Sequence, residues 1–95
     1  MLTASNWNVC QYSALVVMLA KASGLEPGEL VHVIADAHIY DRHVDIVKRL
    51  IEQRPYPAPE MKIEDITDFY KFTKNSFNAE NYRFHEFTDK IPVAI

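Results

Sequence analysis

Trp7-Asn8-Val9-Cys10-Gln11-Tyr12-Ser13-Ala14-Leu15-Val16-Val17-Met18-Leu19-Ala20-Lys21-Ala22 is the stretch on which the reading of this chain turns. It predicts a helix from about Trp7 to Ala22. Ser5 or Asn6 is placed to cap its start by accepting from free backbone N–H groups. Gly24 stands where a left-handed C-terminal cap belongs, and Pro27 follows soon after. The apolar side chains do not keep to one stripe but wrap most of the circumference, so the helix needs cover on nearly every side. The seventy-odd residues that remain are few for that task. The expectation is a helix covered by a partner chain or by the rest of a larger protein.

Downstream, Gly28 releases the chain into Glu29–Tyr40. Leu30-Val31-His32-Val33-Ile34 predicts a strand. In Asp36-Ala37-His38-Ile39-Tyr40, polar and apolar residues alternate, which sends Asp36, His38 and Tyr40 to one side of an extended backbone. Three hydrogen-bonding side chains on one face make this the most site-like segment. From Asp41 to Gln53 the pattern is that of an amphipathic helix. Asp41 is its expected N-cap, and Val44, Val47, Leu50 and Ile51 form its expected buried stripe. The run Arg54-Pro55-Tyr56-Pro57-Ala58-Pro59 stops that helix and imposes an extended course. Met61–Ile63 predicts a short strand, and Asp65–Phe72 a strand or a turn leading into one. Phe77–Phe84 predicts another strand, with Asn78 and Asn81 as turn residues. The tail, 90–95, ends in five uncharged residues, a composition suited to docking on an apolar surface rather than fraying.

Bulk composition narrows the classes. Ninety-five residues make a single unit, 1–95. A chain of this length buries only roughly 60–65% of its unfolded surface. An apolar fraction of 48% and a charged fraction of 24% are those of a folded domain. The net charge of −3, with Lys and Arg scattered, offers no stripe to a polymeric nucleic acid, although a mononucleotide phosphate needs only two or three donors. A single cysteine excludes an internal disulfide and a thiolate zinc cluster, in keeping with a cytoplasmic protein. The longest apolar run, Ala14–Ala20, is far short of a membrane span, and the N-terminus lacks the features of a signal peptide.

Several segments, in order along the whole chain, resemble thymidylate synthase. These are Asn6-Trp7-Asn8-Val9-Cys10-Gln11-Tyr12, Gly24 to His32, Asp36-Ala37-His38-Ile39-Tyr40 followed by His43, the proline-spaced run 54–59, and the terminal Pro92-Val93-Ala94-Ile95. The pairing of Asp-Ala-His-Ile-Tyr with Pro-Val-Ala-Ile is the most specific part. The resemblance implies an α/β (α+β) layered fold, here in part: a long buried helix, strands of a mixed sheet and a second amphipathic helix. It also implies reductive methylation of dUMP to dTMP, with methylenetetrahydrofolate as carbon donor and reductant and no metal. A cysteine thiolate attacks the base in that chemistry.

Carried onto these residues, the resemblance makes Asn8 the reader of uracil, since a carboxamide matches one acceptor and one donor. A helix cap is the plainer alternative for Asn8. His38 and Tyr40 become the groups that bond the deoxyribose 3′-hydroxyl, with Ile39 between them facing the core. A buried His–Tyr pair satisfying itself is the plainer reading there. Asp36 is read as structural. Ala94 and Ile95 belong to the tail that closes over folate.

The family's Pro-Cys-His and Arg-Ser-x-Asp segments do not occur in the sequence. Cys10 lies in an apolar helix with no cation nearby in sequence to lower its pKa, so it is read as a packing residue. Asp36, His38 and His43 do not make a metal set, because the His–His spacing of five misses a single helical face. The expectation is a piece of an enzyme, inactive alone, that pairs with the remainder of the synthase or as a homodimer. Two rivals stand beside it: a free-standing dimerisation or binding module, and a dCMP or dUMP hydroxymethylase relative, which an asparagine at position 8 opposes.

Overall fold

The computed structural model describes residues 1–93. Helix α1 spans Ala4–Ser23, starting earlier than the sequence predicts, so Ser5 and Asn6 lie within it rather than capping it. Thr3 is the N-cap and makes no side-chain cap bond. The predicted C-terminal end is where it should be. Gly24 adopts φ 69°, ψ 27°; its N–H donates to Lys21 O at 3.3 Å, and Leu25 N–H reaches back to Ala20 O at 2.9 Å. Those two bonds satisfy two of the last four carbonyls of the helix. A Cβ at Gly24 would meet no atom within 4 Å, so a substitution there acts through φ alone. Gly24→Ala is expected to cost about 1–2 kcal/mol, measured as a lower urea midpoint at unchanged m-value.

Helix α2, Val44–Glu52, is entered through a 3-10 turn over Asp41–His43. Asp41 lies in that turn rather than acting as a side-chain cap. At Gln53 the backbone is already extended (φ −71°, ψ 130°), and Pro55 prevents the helix from resuming. The buried stripe differs from the predicted one. His43 and Ile46 are buried, Val47 and Leu50 half-buried, and Val44 and Ile51 exposed. Positions 43, 46, 47 and 50 follow the i, i+3, i+4, i+7 rule, with a histidine as the first member.

Strands β1 (Glu60–Ile63) and β2 (Phe77–Glu80) pair antiparallel, with Glu60 opposite Glu80 and Ile63 opposite Phe77. Lys62 Nζ lies 4.0 Å from Glu60 and 3.9 Å from Glu80, offsetting the like charges at the open end. Residues 64–76 are not a strand. Asp68 Oδ1 accepts from Tyr70 N–H at 3.1 Å, and Thr73 N–H donates to Ser76 Oγ at 3.1 Å. These short polar side chains offer the backbone local partners and close two 3-10 turns, Phe69–Lys71 and Lys74–Ser76. Asn81 has φ 56°, as suits its expected place in a turn, whereas Asn78 lies inside β2.

Two further expectations are revised. Leu30–Ile34 pairs with no other segment, and the sheet is an antiparallel pair rather than a mixed sheet. A strand needs a neighbour for its N–H and C=O groups, and none of the described residues supplies one there. The long helix agrees with the expectation that this chain is too short to cover it: of α1 only Ala20 is buried, and Trp7 is 76% exposed. Cys10 is exposed as well. It borders an apolar cleft of about 250 Å³ where Val9, Ala14 and Val17 of α1 face Met61, Ile63 and Phe77 of the hairpin. Between them, Lys21 bridges to Asp65 at 3.3 Å.

The radius of gyration is 16.5 Å. A compact chain of this length has about 12 Å. The elements thus lie side by side around small contacts, and among the described residues Ala20 and Ile46 are the buried apolar side chains. No helix among them is long and apolar enough to cross a membrane.

Candidate functional site

Asp36–Tyr40 behaves as the alternation predicts: the side chains of His38 and Tyr40 share a face and touch. Their ring centroids lie 5.1 Å apart at 74°, an edge-to-face contact. Both residues are exposed, so this is not a buried pair satisfying itself. His38 Nδ1–H donates to the Asp36 carbonyl at 3.0 Å, with Asp36 Oδ1 at 3.5 Å. That bond orients the imidazole and leaves Nε2 without a partner among the described residues. Asp36 thus positions its neighbour. Ile39 is 46% exposed rather than facing a core, because no packed layer lies behind this segment.

The Tyr40 ring also meets that of His43, edge to face at 5.4 Å and 89°. The His43 backbone N–H donates to Tyr40 O at 2.8 Å as the chain turns into α2. A single turn thereby fixes a row of three rings, His38, Tyr40 and His43. Among the described residues no hydrogen bond engages the Tyr40 hydroxyl, which remains available to a ligand.

Tyr40 and His43 border a cleft of about 420 Å³ together with Thr3, Ile91, Pro92 and Val93. Thr3 caps α1, and Asn8 lies five residues further along, about 7–8 Å up the helix axis. Asn8 is exposed, and among the described residues no hydrogen bond engages its carboxamide. It sits inside the helix, so it is not a cap. The structure therefore brings Thr3 at the start of α1, Tyr40, His43 and the tail around one opening, whereas Asn8, His38 and Ile39 do not line it. Ala94 and Ile95 lie outside the described residues.

Two sets of contacts were not read from the sequence. Arg42 and His43 bond the tail backbone at Val93 and Pro92. In the sequence, His43 is marked only beside the Asp36–Tyr40 segment and as a rejected metal candidate, and Arg42 not at all. Further along, His85 stacks on Tyr56 at 4.6 Å and 24°, Arg83 lies 4.6 Å over the same ring, and His85 Nε2–H donates to Arg54 O at 2.9 Å. These contacts hold the proline-spaced run against the approach to the tail. Arg49 is bonded to Asp89 at 2.8 Å, and that bond, with the carboxylate's charge, raises the guanidinium pKa above its ordinary value. His38 and His43 bond different partners, the Asp36 and Pro92 carbonyls.

Comparison with known proteins places this arrangement. The profile of the family described as thymidylate synthase matches residues 1–95. The bifunctional dihydrofolate reductase-thymidylate synthase of Paramecium tetraurelia is 40% identical over 80 residues, which are 84% of this chain and 17% of that protein. The thymidylate synthase of Saccharomyces cerevisiae is 39% identical over 80 residues, 83% of this chain and 26% of that protein. The thermostable thymidylate synthase A of Bacillus subtilis superposes with a TM-score of 0.85 at 37% identity, covering 90% of this chain and 31% of that one. The chain thus spans between a sixth and a third of the length of these proteins. A profile that matches from end to end and a backbone that superposes over nine-tenths of the chain carry one conclusion: this chain belongs to the thymidylate synthase family.

Proposed function

We propose that the chain supplies one wall and the closing tail of a thymidylate synthase, which methylates dUMP to dTMP. Methylenetetrahydrofolate gives both the carbon and the reducing equivalents and leaves as dihydrofolate. Residues 1–95 act as one unit in this reading. Asn8 reads the uracil edge, His38 and Tyr40 bond the 3′-hydroxyl with Ile39 between them, and Ala94 and Ile95 close over the folate. The sequence holds no Pro-Cys-His segment. The nucleophile therefore comes from another part of the synthase, and the chain by itself is inactive. No step needs a metal, and the setting is the cytoplasm.

The observation that carries the reading is the oriented His38–Tyr40 pair, of which Tyr40 lines the cleft that the tail borders. It leaves an imidazole nitrogen and a phenol without partners among the described residues, which together offer a donor and an acceptor to one hydroxyl.

The test uses the chain assembled with the segment that carries the nucleophile, followed by dihydrofolate absorbance. Removing the 3′-hydroxyl from dUMP is expected to lower kcat/KM about tenfold, and Tyr40→Phe should lower it by a similar factor with dUMP. With the 3′-deoxy nucleotide, Tyr40→Phe should then cost little more, because the bond is already gone. Additive losses would show that Tyr40 does not meet that hydroxyl.

One observation favours a second reading, a non-catalytic dimerisation module. Trp7, Tyr12 and Leu19 of α1 are exposed apolar side chains. That reading requires a dimer whose sedimentation does not change with dilution and an assembly that forms no dihydrofolate.

A further inference from the structure

The tail is held by its backbone, from one turn. His43 is 7% exposed, and its Nε2–H donates to the Pro92 carbonyl at 2.8 Å. Its neighbour Arg42 donates from Nη1 to the Val93 carbonyl at 3.3 Å. Two consecutive side chains thus grip two consecutive carbonyls about fifty residues away. Pro92 has no N–H to offer a ladder, so a carbonyl is the handle it presents. Ile91 and Pro92 are half-buried where they dock. The same His43 ring meets Tyr40 edge-on at 5.4 Å, so the grip and the proposed sugar contact share one row of rings.

We propose that Arg42 and His43 are positioning residues: a two-pronged clamp on the Pro92 and Val93 carbonyls that docks the tail beside Tyr40. Its purpose, holding the tail ready to close over folate, rests on the function proposed above. The contact itself needs no ligand. His43 supplies a buried, directional donor that fixes where the chain turns, and Arg42 supplies a charge-assisted donor from the surface. Neither side chain touches a reacting atom.

Trypsin cleavage of the Lys90–Ile91 bond in the full chain, without ligand, reads the clamp directly, because that bond lies beside the gripped carbonyls. His43→Leu is expected to speed that cut about tenfold and Arg42→Gln about threefold, as a lost buried bond and a lost exposed one imply. His43→Gln, whose side-chain amide nitrogen can donate from the position of Nε2, should cut close to the parent rate. The Lys62–Ile63 bond inside β1 serves as the control and should not change. If His43→Leu loosens both bonds, Arg42→Gln decides, since Arg42 is exposed and its loss leaves α2 packed. Parent-like cutting at Lys90–Ile91 in Arg42→Gln and His43→Leu overturns the clamp, as does equal acceleration at both bonds in each variant. Binding of dUMP on the same samples reports separately. A protein that ignores dUMP yet protects Lys90–Ile91 through His43 keeps the clamp and loses the synthase reading.

Discussion

Asn8→Asp is expected to turn base preference in the assembled enzyme from dUMP towards dCMP, lowering kcat/KM for dUMP by about a hundred- to a thousandfold. Uracil presents an acceptor at O4 and a donor at N3, and a carboxamide meets both. Cytosine presents a donor at N4 and an acceptor at N3. A protonated aspartic acid meets that reversed pair, its carbonyl oxygen accepting from N4 and its O–H donating to N3. The ionised carboxylate facing uracil is acceptor-only and sets acceptor against acceptor at O4, and an unmade bond at a closed site costs more than a made one contributes. Asn8 fits such a role locally. It is exposed on α1 and makes no hydrogen bond to another described residue. Rates for both nucleotides, measured side by side, decide it. A variant that still prefers dUMP as strongly as the parent assigns base reading to another residue.

The second large effect is on stability. Ile46→Ala should lower the unfolding free energy by about 2–4 kcal/mol. Ile51→Ala, one turn on, should change it by less than about 0.5 kcal/mol. Ile46 is 6% exposed and Ile51 is 76% exposed, although the two differ little in sequence context. Ile46 shares the inward stripe with His43, Val47 and Leu50, so the cavity left by truncation opens beside the clamp on the tail. Few other apolar side chains are buried among the described residues, and a loss of that size is a large part of any margin the chain has. Urea melts of both variants suffice, and the pair separates burial from helix propensity because both changes put alanine in the same helix. Equal losses would show that propensity or the unfolded state governs, rather than burial.

What could be read in advance divides by the range of the interaction. The stop of α1 at Gly24, the break after α2, the short β1 and the turn at Asn81 were all legible, because each depends on a residue's own φ and its near neighbours. The contact between His38 and Tyr40 was legible for the same reason: residues two apart on an extended chain share a side. So was the family, whose marks are strings of adjacent residues. The early start of α1 was missed because Ser5 and Asn6 are good caps and here simply continue a helix already begun. Asp65–Phe72 was ambiguous because Asp68 and Thr73 recruit their own backbone into turns.

The sequence by itself determined where helices end, which side chains of a short segment stand together and which family the chain resembles, since these follow from backbone sterics and spacing over a few residues. Tertiary structure alone decided that Leu30–Ile34 stays unpaired, that α2 turns Ile46 inward and Ile51 outward, that Ile39 is exposed, and that Arg42 and His43 reach the tail. Each of those outcomes depends on what another stretch of chain brings alongside. A strand requires a partner for its backbone groups, a helix face is buried only where something covers it, and a carbonyl some fifty residues away accepts a bond only once the fold has carried it there.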